Sequence, residues 1–169
     1  NQTPIDDLKS IKDLTEDHPA RLYCMNRKIP EKYFDKLFLS DKFMTLVNEV
    51  KPNTYKITKD HPRLIIPFYD TTGKVFAFQG RAFGKEQPKY LTIKFDENKQ
   101  KVFGLDNINL QEHIYIVEGP IDSMFIDNCL AAGGADLTLR VPTEQVTYIF
   151  DNEPRNKEII KRMSKVIDD

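Results

Sequence analysis

The sequence predicts an α/β protein, α+β overall, in which a mixed helical and β amino-terminal part precedes a parallel-sheet part. Three observations lead to this prediction. Apolar residues recur at helical spacing within the first 50 residues, two β-rich runs surround a glycine-bearing turn near residue 70, and two later apolar strands each end in acidic residues followed by a helical pattern. Strand, acidic turn and helix, occurring twice, are typical of βα units in a parallel sheet.

The first 50 residues are expected to be largely helical. Thr3-Pro4 with Asp6 fits a helix start that has proline at the first helical position. Two amphipathic runs follow, one beginning at Pro30 and one near residue 43, and their apolar residues are Phe34, Leu37 and Phe38, then Phe43, Leu46, Val47 and Val50. Such stripes belong to a core far more often than to a ligand site.

A β-hairpin is predicted next. Leu64 to Tyr69 and Lys74 to Gln79 are β-rich and flank the turn Asp70-Thr71-Thr72-Gly73. Because apolar residues run without a break through Val75-Phe76-Ala77-Phe78, the second strand is expected to be covered on both faces.

Cations and an aromatic residue follow the hairpin, namely Arg81, Lys85, Lys89, Tyr90 and Lys94. This combination suits a phosphate chain and a stacked base. Exposed lysines also protect solvated strand edges from association, and that interpretation is favoured for Lys85 and Lys94.

Acidic residues stand where two apolar strands end. Glu118 follows Ile114 to Val117, and Asp151 and Glu153 follow Val146 to Phe150. The carboxyl ends of neighbouring parallel strands line one crevice, and three carboxylates there predict a Mg²⁺ site. Each acid by itself also fits a helix N-cap, and Asp122, in the first turn of the next helix, fits stabilisation by the helix dipole equally well.

Composition limits the possible functions. With 169 residues, 40% hydrophobic content and a net charge of −1, the chain can form a core and is not a general polyanion binder, so nucleic-acid contacts must come from local patches. Cys24 and Cys129 are expected to be free thiols in a reducing cytosol. The three histidines form no cluster, so zinc is not expected, and neither a membrane-spanning run nor a signal peptide is visible.

Several segments resemble known families. Glu118-Gly119-Pro120-Ile121-Asp122 is similar to the E-G-x-x-D signature of the Toprim domain, and Asp151-Asn152-Glu153 lies where that domain carries its D-x-D. Upstream, three segments resemble, in order and spacing, the R-x-x-F-P-x-x-D, G-F-G-G-R and P-K-Y-L run of bacterial and phage primases of the DnaG type: residues 63–70, 78–81 and 88–91. With similar residues between His18 and Pro30, the resemblance covers nearly the whole chain.

This resemblance implies a primase polymerase core, with an amino-terminal subdomain at 1–108 and a Toprim subdomain, a Rossmann-like parallel sheet, at 109–169. It implies Mg²⁺- or Mn²⁺-dependent synthesis of short RNA primers from ribonucleoside triphosphates on a single-stranded DNA template. Implied partners are the template, the primer and a replicative helicase, and the implied location is the cytoplasm of a bacterium or an infected host cell.

The resemblance also implies roles for individual residues. Glu118, Asp151 and Glu153 would hold the metal, with Asp122 at the edge of the site, and Glu118 is alternatively the group that accepts the proton of the 3′-hydroxyl. Nucleotide or nucleic-acid contacts would come from Arg81, Lys89, Tyr90 and Arg155.

The chain departs from the family at its ends. It begins at Asn1 without the family's zinc-binding module and ends at Asp169, before the family's further acidic motif, so a fragment with a truncated Toprim part is expected. Two other functions stay open. One is a Toprim nuclease that uses the same acids with water as nucleophile, and the other is a non-catalytic segment that binds single-stranded nucleic acid.

Overall fold

The chain consists of two compact units in a computed structural model that describes residues 3–132 and 141–149. The first unit comprises Asn1–Phe68 and Val75–Glu97, and the second comprises Tyr69–Lys74 and Asn98–Asp169. The subdomain boundary expected between residues 108 and 109 stays a prediction.

The first unit is built on a five-stranded sheet with the strands in sequence order. The strands are β1 (Lys9–Ser10), β2 (Phe38–Ser40), β3 (Arg63–Tyr69), β4 (Val75–Ala82) and β5 (Tyr90–Lys94). The helices are α1 (Pro19–Asn26) and α2 (Phe43–Val50), with short 3-10 turns at Ile11–Asp13 and Glu31–Tyr33. The pairs β1–β2, β2–β3 and β4–β5 are antiparallel.

The predicted hairpin is confirmed as β3, a tight turn and β4. In the turn, Asp70 Oδ1 accepts hydrogen bonds from the Thr72 hydroxyl at 2.6 Å and from the N–H groups of Thr72 and Lys74 at 2.9 and 3.0 Å. The Thr72 hydroxyl and these N–H groups lower the pKa of Asp70 to about 2. Gly73 has a φ of +85°, a conformation that glycine adopts without strain.

The core of the first unit lies on both faces of β3 and β4. Residues 75–80 are all buried, which confirms the expectation that this strand is covered on both sides. Phe78 is fully buried, and its ring centroid lies 6.1 Å from that of Phe43 and 5.8 Å from that of Phe95.

Gly80 is a point of close packing in this core. The Phe43 ring lies directly against its Cα, so a Cβ added at Gly80 would overlap the ring. Only glycine fits beneath Phe43 at this position.

The amino-terminal helices are fewer than expected. Residues 4–7 form turns, although Asp6 does accept hydrogen bonds from the Thr3 N–H and hydroxyl at 2.6 and 2.8 Å. Of the run after Pro30, only Glu31–Tyr33 is helical, as a single 3-10 turn. Phe34 and Leu37 are buried as predicted, but Phe38 pairs with Ile65 in the sheet. Pairing with β3 satisfies the backbone there and overrides the local helical pattern.

The helix α2 confirms the stripe from Phe43 to Val50, but the residues that cap it are distant in sequence. Lys42 at its N-cap makes no side-chain hydrogen bond. Instead, the Phe43 N–H donates to the His61 carbonyl at 3.0 Å, and the N–H groups of Met44 and Thr45 donate to the Asp60 carboxylate at 2.8 and 3.0 Å.

The second unit contains a parallel three-stranded sheet, as predicted. Its strands are β6 (Ile114–Val117), β7 (Cys129–Ala131) and β8 (Val146–Tyr148), in the order β7-β6-β8. Ile114 and Ile116 pack in one apolar cluster and Val117 in another, as the period-two alternation of a strand requires. Both pairs, β6–β7 and β6–β8, are parallel.

The helix after β6 is shorter than the helical pattern from Pro120 to Asn128 in the sequence predicts. The helix α3 spans Pro120–Ser123, and turns occupy most of the stretch from there to Asn128. Asn128, at φ +51°, donates from Nδ2 to the carbonyls of Asn109 and His113, both at 2.9 Å. This polar network directs the chain into β7 and ends the helical pattern. No helix in the described ranges is long and apolar enough to cross a membrane.

The Gly80→Ala substitution is expected to lower the free energy of unfolding by about 1–3 kcal/mol, because the added methyl group overpacks the core against Phe43. This loss outweighs the stabilisation of roughly 0.4–1 kcal/mol that a Gly→Ala change gives by reducing the conformational entropy of the unfolded chain. Urea unfolding of the variant and the parent measures the difference. In a Phe43→Leu background, which removes the obstructing ring edge, the loss should become smaller; an equal loss there would contradict the packing explanation.

The Asp60→Asn substitution is expected to lower the free energy of unfolding by about 1–3 kcal/mol at pH 7. Both carboxylate oxygens of Asp60 accept from backbone N–H groups at the start of α2, and an asparagine amide has only one oxygen to offer them. Partial burial raises the pKa of Asp60, but the hydrogen bonds from Met44, Thr45 and His61 outweigh this and leave it below its ordinary value of 3.8. The difference between parent and variant should therefore hold above pH 4 and shrink as the pH falls through the lowered pKa.

Urea unfolding at several pH values between 7 and 3 tests this dependence. Asp41→Asn is the matched control, because Asp41 is exposed and makes no hydrogen bond to the α2 backbone. A difference for Asp60→Asn that does not change with pH would rule out the charged cap.

Candidate functional site

Glu118 lies at the carboxyl end of β6, the central strand of the parallel sheet. The chain runs from β6 to β7 on one side and then crosses to β8 on the other, so the order of strands reverses between β6 and β8. In open α/β sheets, ligands bind outside the carboxyl ends of the strands at such a switch point. Glu118 is exposed, and its carboxylate makes no hydrogen bond or ion pair with the described residues. Its predicted role as a metal ligand stays a prediction.

Asp122 lies in the first turn of α3, close to the end of β6. Its Oδ2 is 3.4 Å from the position that a Cβ would take on Gly119, so the carboxylate folds back toward the residue after Glu118. Burial raises the pKa of the neighbouring Cys129 to about 12, and the charge of Asp122 adds to this effect. The thiol is therefore protonated and unreactive at neutral pH.

Asp151, Glu153 and Arg155 lie outside the described residues, so their predicted roles stay predictions. What the structure describes is the strand that precedes them. Ile116 is paired with Tyr148, and the Ile149 N–H donates to the Ile116 carbonyl at 2.8 Å. Asp151 thus comes three residues after the end of a strand that is hydrogen-bonded alongside β6. Within the described ranges, no group of three or more His, Cys, Asp or Glu side chains is placed to hold a metal ion.

Arg81, Lys89 and Tyr90 come together in the first unit. Arg81 on β4 is paired with Tyr90 on β5, and its guanidinium carbon lies 5.9 Å from the centre of the Tyr90 ring. Tyr90 is 57% exposed, so one aromatic face remains accessible beside a cation. Lys89 directly precedes Tyr90, and its side chain is exposed. The binding of nucleotides or nucleic acid by these three residues stays a prediction.

Three further residues complete what we call the Arg81 cluster, which consists of Tyr23, Arg27, Arg81, Phe83 and Tyr90. The Arg81 Nε donates to the Tyr23 hydroxyl at 3.1 Å, and the Arg27 guanidinium carbon lies 5.9 Å from the centre of the Tyr23 ring. The Tyr23 and Phe83 rings meet edge to face at 5.2 Å. The spacing of four residues between Tyr23 on α1 and Arg27 at its C-cap is a signal in the sequence for their contact, although the motifs predict no role for either residue.

Arg63, the first residue of the R-x-x-F-P-like segment, has a structural role. It is 5% exposed, and its Nη1 donates to the carbonyls of Gly80 and Lys89 at 3.2 and 3.4 Å. Its guanidinium carbon lies 5.1 Å from the centre of the Phe43 ring. Burial lowers the pKa of Arg63, and the nearby charge of Glu86 opposes that shift. Arg63 thus ties β3 to the two segments that carry Arg81 and Tyr90.

Known proteins resemble this chain in sequence and in fold. It is 40% identical over 158 residues to the DNA primase of Enterobacteria phage T4, an alignment that covers 92% of this chain and 46% of the phage protein. The chain therefore spans about half the length of that relative. No protein-family model matches the sequence.

Two solved structures share the fold. The zinc-binding and RNA polymerase domains of Aquifex aeolicus primase match with a TM-score of 0.58 and 22% identity, over 90% of this chain and 47% of that one. A DnaG primase catalytic domain bound to single-stranded DNA matches with a TM-score of 0.61 and 14% identity, over 94% and 75% of the two chains. The predicted fold class and the resemblance to DnaG-type primases are both confirmed.

The Arg63→Met substitution is expected to lower the free energy of unfolding by about 1.5–3 kcal/mol, because it removes charge-assisted hydrogen bonds to two backbone carbonyls. Lys89→Met is the matched control, and its exposed side chain should change the free energy by less than about 0.5 kcal/mol. Urea unfolding of both variants measures the effect. Equal stability of the two variants would show that Arg63 does not hold this region together.

Proposed function

We propose that this chain is the catalytic core region of a DNA primase, an enzyme that synthesises short RNA primers on single-stranded DNA during replication. The observation that carries the proposal is the 40% identity to the phage T4 DNA primase along 92% of the chain. The fold shared with primase catalytic domains agrees with it.

The acidic residues at the switch point are proposed to hold Mg²⁺ or Mn²⁺, through Glu118, Asp151 and Glu153. Such an ion, when bound, stabilises the attacking 3′-oxygen and the pyrophosphate leaving group. Carboxylate oxygens are the ligands that these hard cations prefer. The exposed and unpaired carboxylate of Glu118 supports its part in the site, and Asp122 supports the site from its edge.

The Arg81 cluster and Lys89 are proposed to bind phosphate groups of the template or of the ribonucleoside triphosphate. Arginine recognises phosphate through paired N–H groups, and Tyr90 offers a face on which a base can stack. Arg155 is proposed to add a further cation near the acids. Because the net charge is −1, affinity for nucleic acid depends on these local cations and should fall as salt is raised.

The remaining partners follow from the same proposal. A replicative helicase would be contacted by regions outside this chain, and the enzyme would act in the cytoplasm of a bacterium or of an infected host cell.

The test is to incubate the protein with single-stranded DNA, labelled ribonucleotides and Mg²⁺ or Mn²⁺, and to look for short RNA products. Glu118→Gln and Asp151→Ala variants serve beside the parent, and both should lose the products by at least about 100-fold, since removal of a strong electrostatic contribution to catalysis has an effect of that order. Glu118→Gln should keep the parent's free energy of unfolding to within about 0.5 kcal/mol, because Glu118 is exposed.

Each alternative has its own result. Metal-dependent cleavage of DNA without nucleotides, together with an absence of RNA products, would indicate the nuclease. Binding of single-stranded DNA without turnover would indicate the non-catalytic segment. Undiminished synthesis by Glu118→Gln and Asp151→Ala would overturn the metal assignment.

A further inference from the structure

Tyr23 contacts two cations through two different parts of its side chain. Its hydroxyl accepts a hydrogen bond from the Arg81 Nε at 3.1 Å, and its ring lies 5.9 Å from the Arg27 guanidinium carbon. Its ring also packs edge to face against Phe83, and this third contact further restricts the orientation of the ring. A tyrosine on α1 therefore connects the cation at the C-cap of that helix with another cation on β4.

The hydrogen bond at Nε restricts how the Arg81 guanidinium can rotate. The group is planar, so fixing Nε on one side fixes the directions of the terminal Nη1 and Nη2 groups on the other. Among the described residues, these terminal groups have no hydrogen-bond acceptor, and the guanidinium also lies near the Tyr90 ring. Arg81 is thus held by Nε while its paired N–H donors remain available.

We propose that Tyr23 is a positioning residue that orients Arg81 for bidentate binding of a phosphate group. A guanidinium oriented before the ligand arrives loses less side-chain entropy on binding, which strengthens the contact. The inference rests on the proposed function and deepens it, because the phosphate belongs to single-stranded DNA or to a nucleoside triphosphate.

A purely structural role for Tyr23 makes a different prediction. If Tyr23 only packed α1 against the sheet, its loss would act on stability and would not depend on Arg81. The Tyr23→Phe variant separates these roles, because it keeps the ring contacts with Phe83 and Arg27 and removes only the hydroxyl that accepts from Arg81.

The experiment measures binding of a labelled oligothymidylate by fluorescence anisotropy over a range of salt concentrations. Four proteins are compared: the parent, Tyr23→Phe, Arg81→Ala and the double variant. A second arm uses ATP with Mg²⁺ as the ligand. Tyr55→Phe is the matched control, because the Tyr55 hydroxyl makes no hydrogen bond with the described residues. Urea unfolding of each protein confirms that it is folded under the conditions in which binding is measured.

Tyr23→Phe should bind one of the two ligands about 2- to 10-fold more weakly than the parent. The loss should disappear in the Arg81→Ala background, since a residue that acts through Arg81 cannot act without it. Arg81→Ala should also reduce the slope of log affinity against log salt for the oligonucleotide by about 0.7, as expected for one phosphate contact. The arm that shows the coupling identifies the source of the phosphate.

If Arg81→Ala binds more weakly than the parent, two results would overturn this inference and leave the proposed function standing. One is unchanged binding by Tyr23→Phe, and the other is an equal loss of affinity on Tyr23→Phe substitution in the parent and in the Arg81→Ala background. Binding by Arg81→Ala as tight as that of the parent in both arms would instead remove Arg81 from the phosphate site. That result would overturn the nucleic-acid surface of the proposed function together with the inference.

Discussion

A buried guanidinium is the interaction on which the first unit depends. Arg63 is 5% exposed and bonds the carbonyls of Gly80 and Lys89 while its plane lies over Phe43. Burying a cation costs free energy unless its N–H donors are hydrogen-bonded. The hydrogen bonds of Arg63 therefore restrict the positions of the residues around it. The edge of the Phe43 ring lies against Gly80, which must lack a side chain to admit it. The strands that result carry Arg81 and Tyr90 to the surface side by side.

Burial distinguishes Arg63 from Arg81. The donors of Arg63 are used inside the protein, where they order the backbone, whereas the terminal donors of Arg81 have no acceptor in the described part of the chain. An ordered backbone beneath a partly exposed cation favours phosphate recognition, because less of the binding free energy is then used to order the backbone. Both arginines belong to segments that resemble primases, and only their surroundings distinguish a structural residue from one that contacts a ligand.

The second unit obeys a different constraint, which is the order of its strands. Since β6 lies between β7 and β8, the residue that follows it stands where the strand order reverses, which is where ligands of open α/β sheets bind. Apolar residues on both faces of β6 leave Glu118 as the first side chain beyond the core. Glu118 is therefore exposed because it lies just beyond the strand, and water solvates its carboxylate in place of a polar partner.

The sequence by itself determined the hairpin at residues 64–79, the parallel βα pattern, most apolar residues of the core and the strand-end position of Glu118, because these depend on local periodicity and turn chemistry. Only the tertiary structure decided that Phe38 lies in a strand, that Asp60 caps a helix more than ten residues away, that Arg63 is buried, and that Tyr23 contacts Arg81. Each of these contacts joins residues that are distant in sequence. Local periodicity describes only neighbouring residues, so it does not predict which distant residue will satisfy a given backbone group or fill a given space.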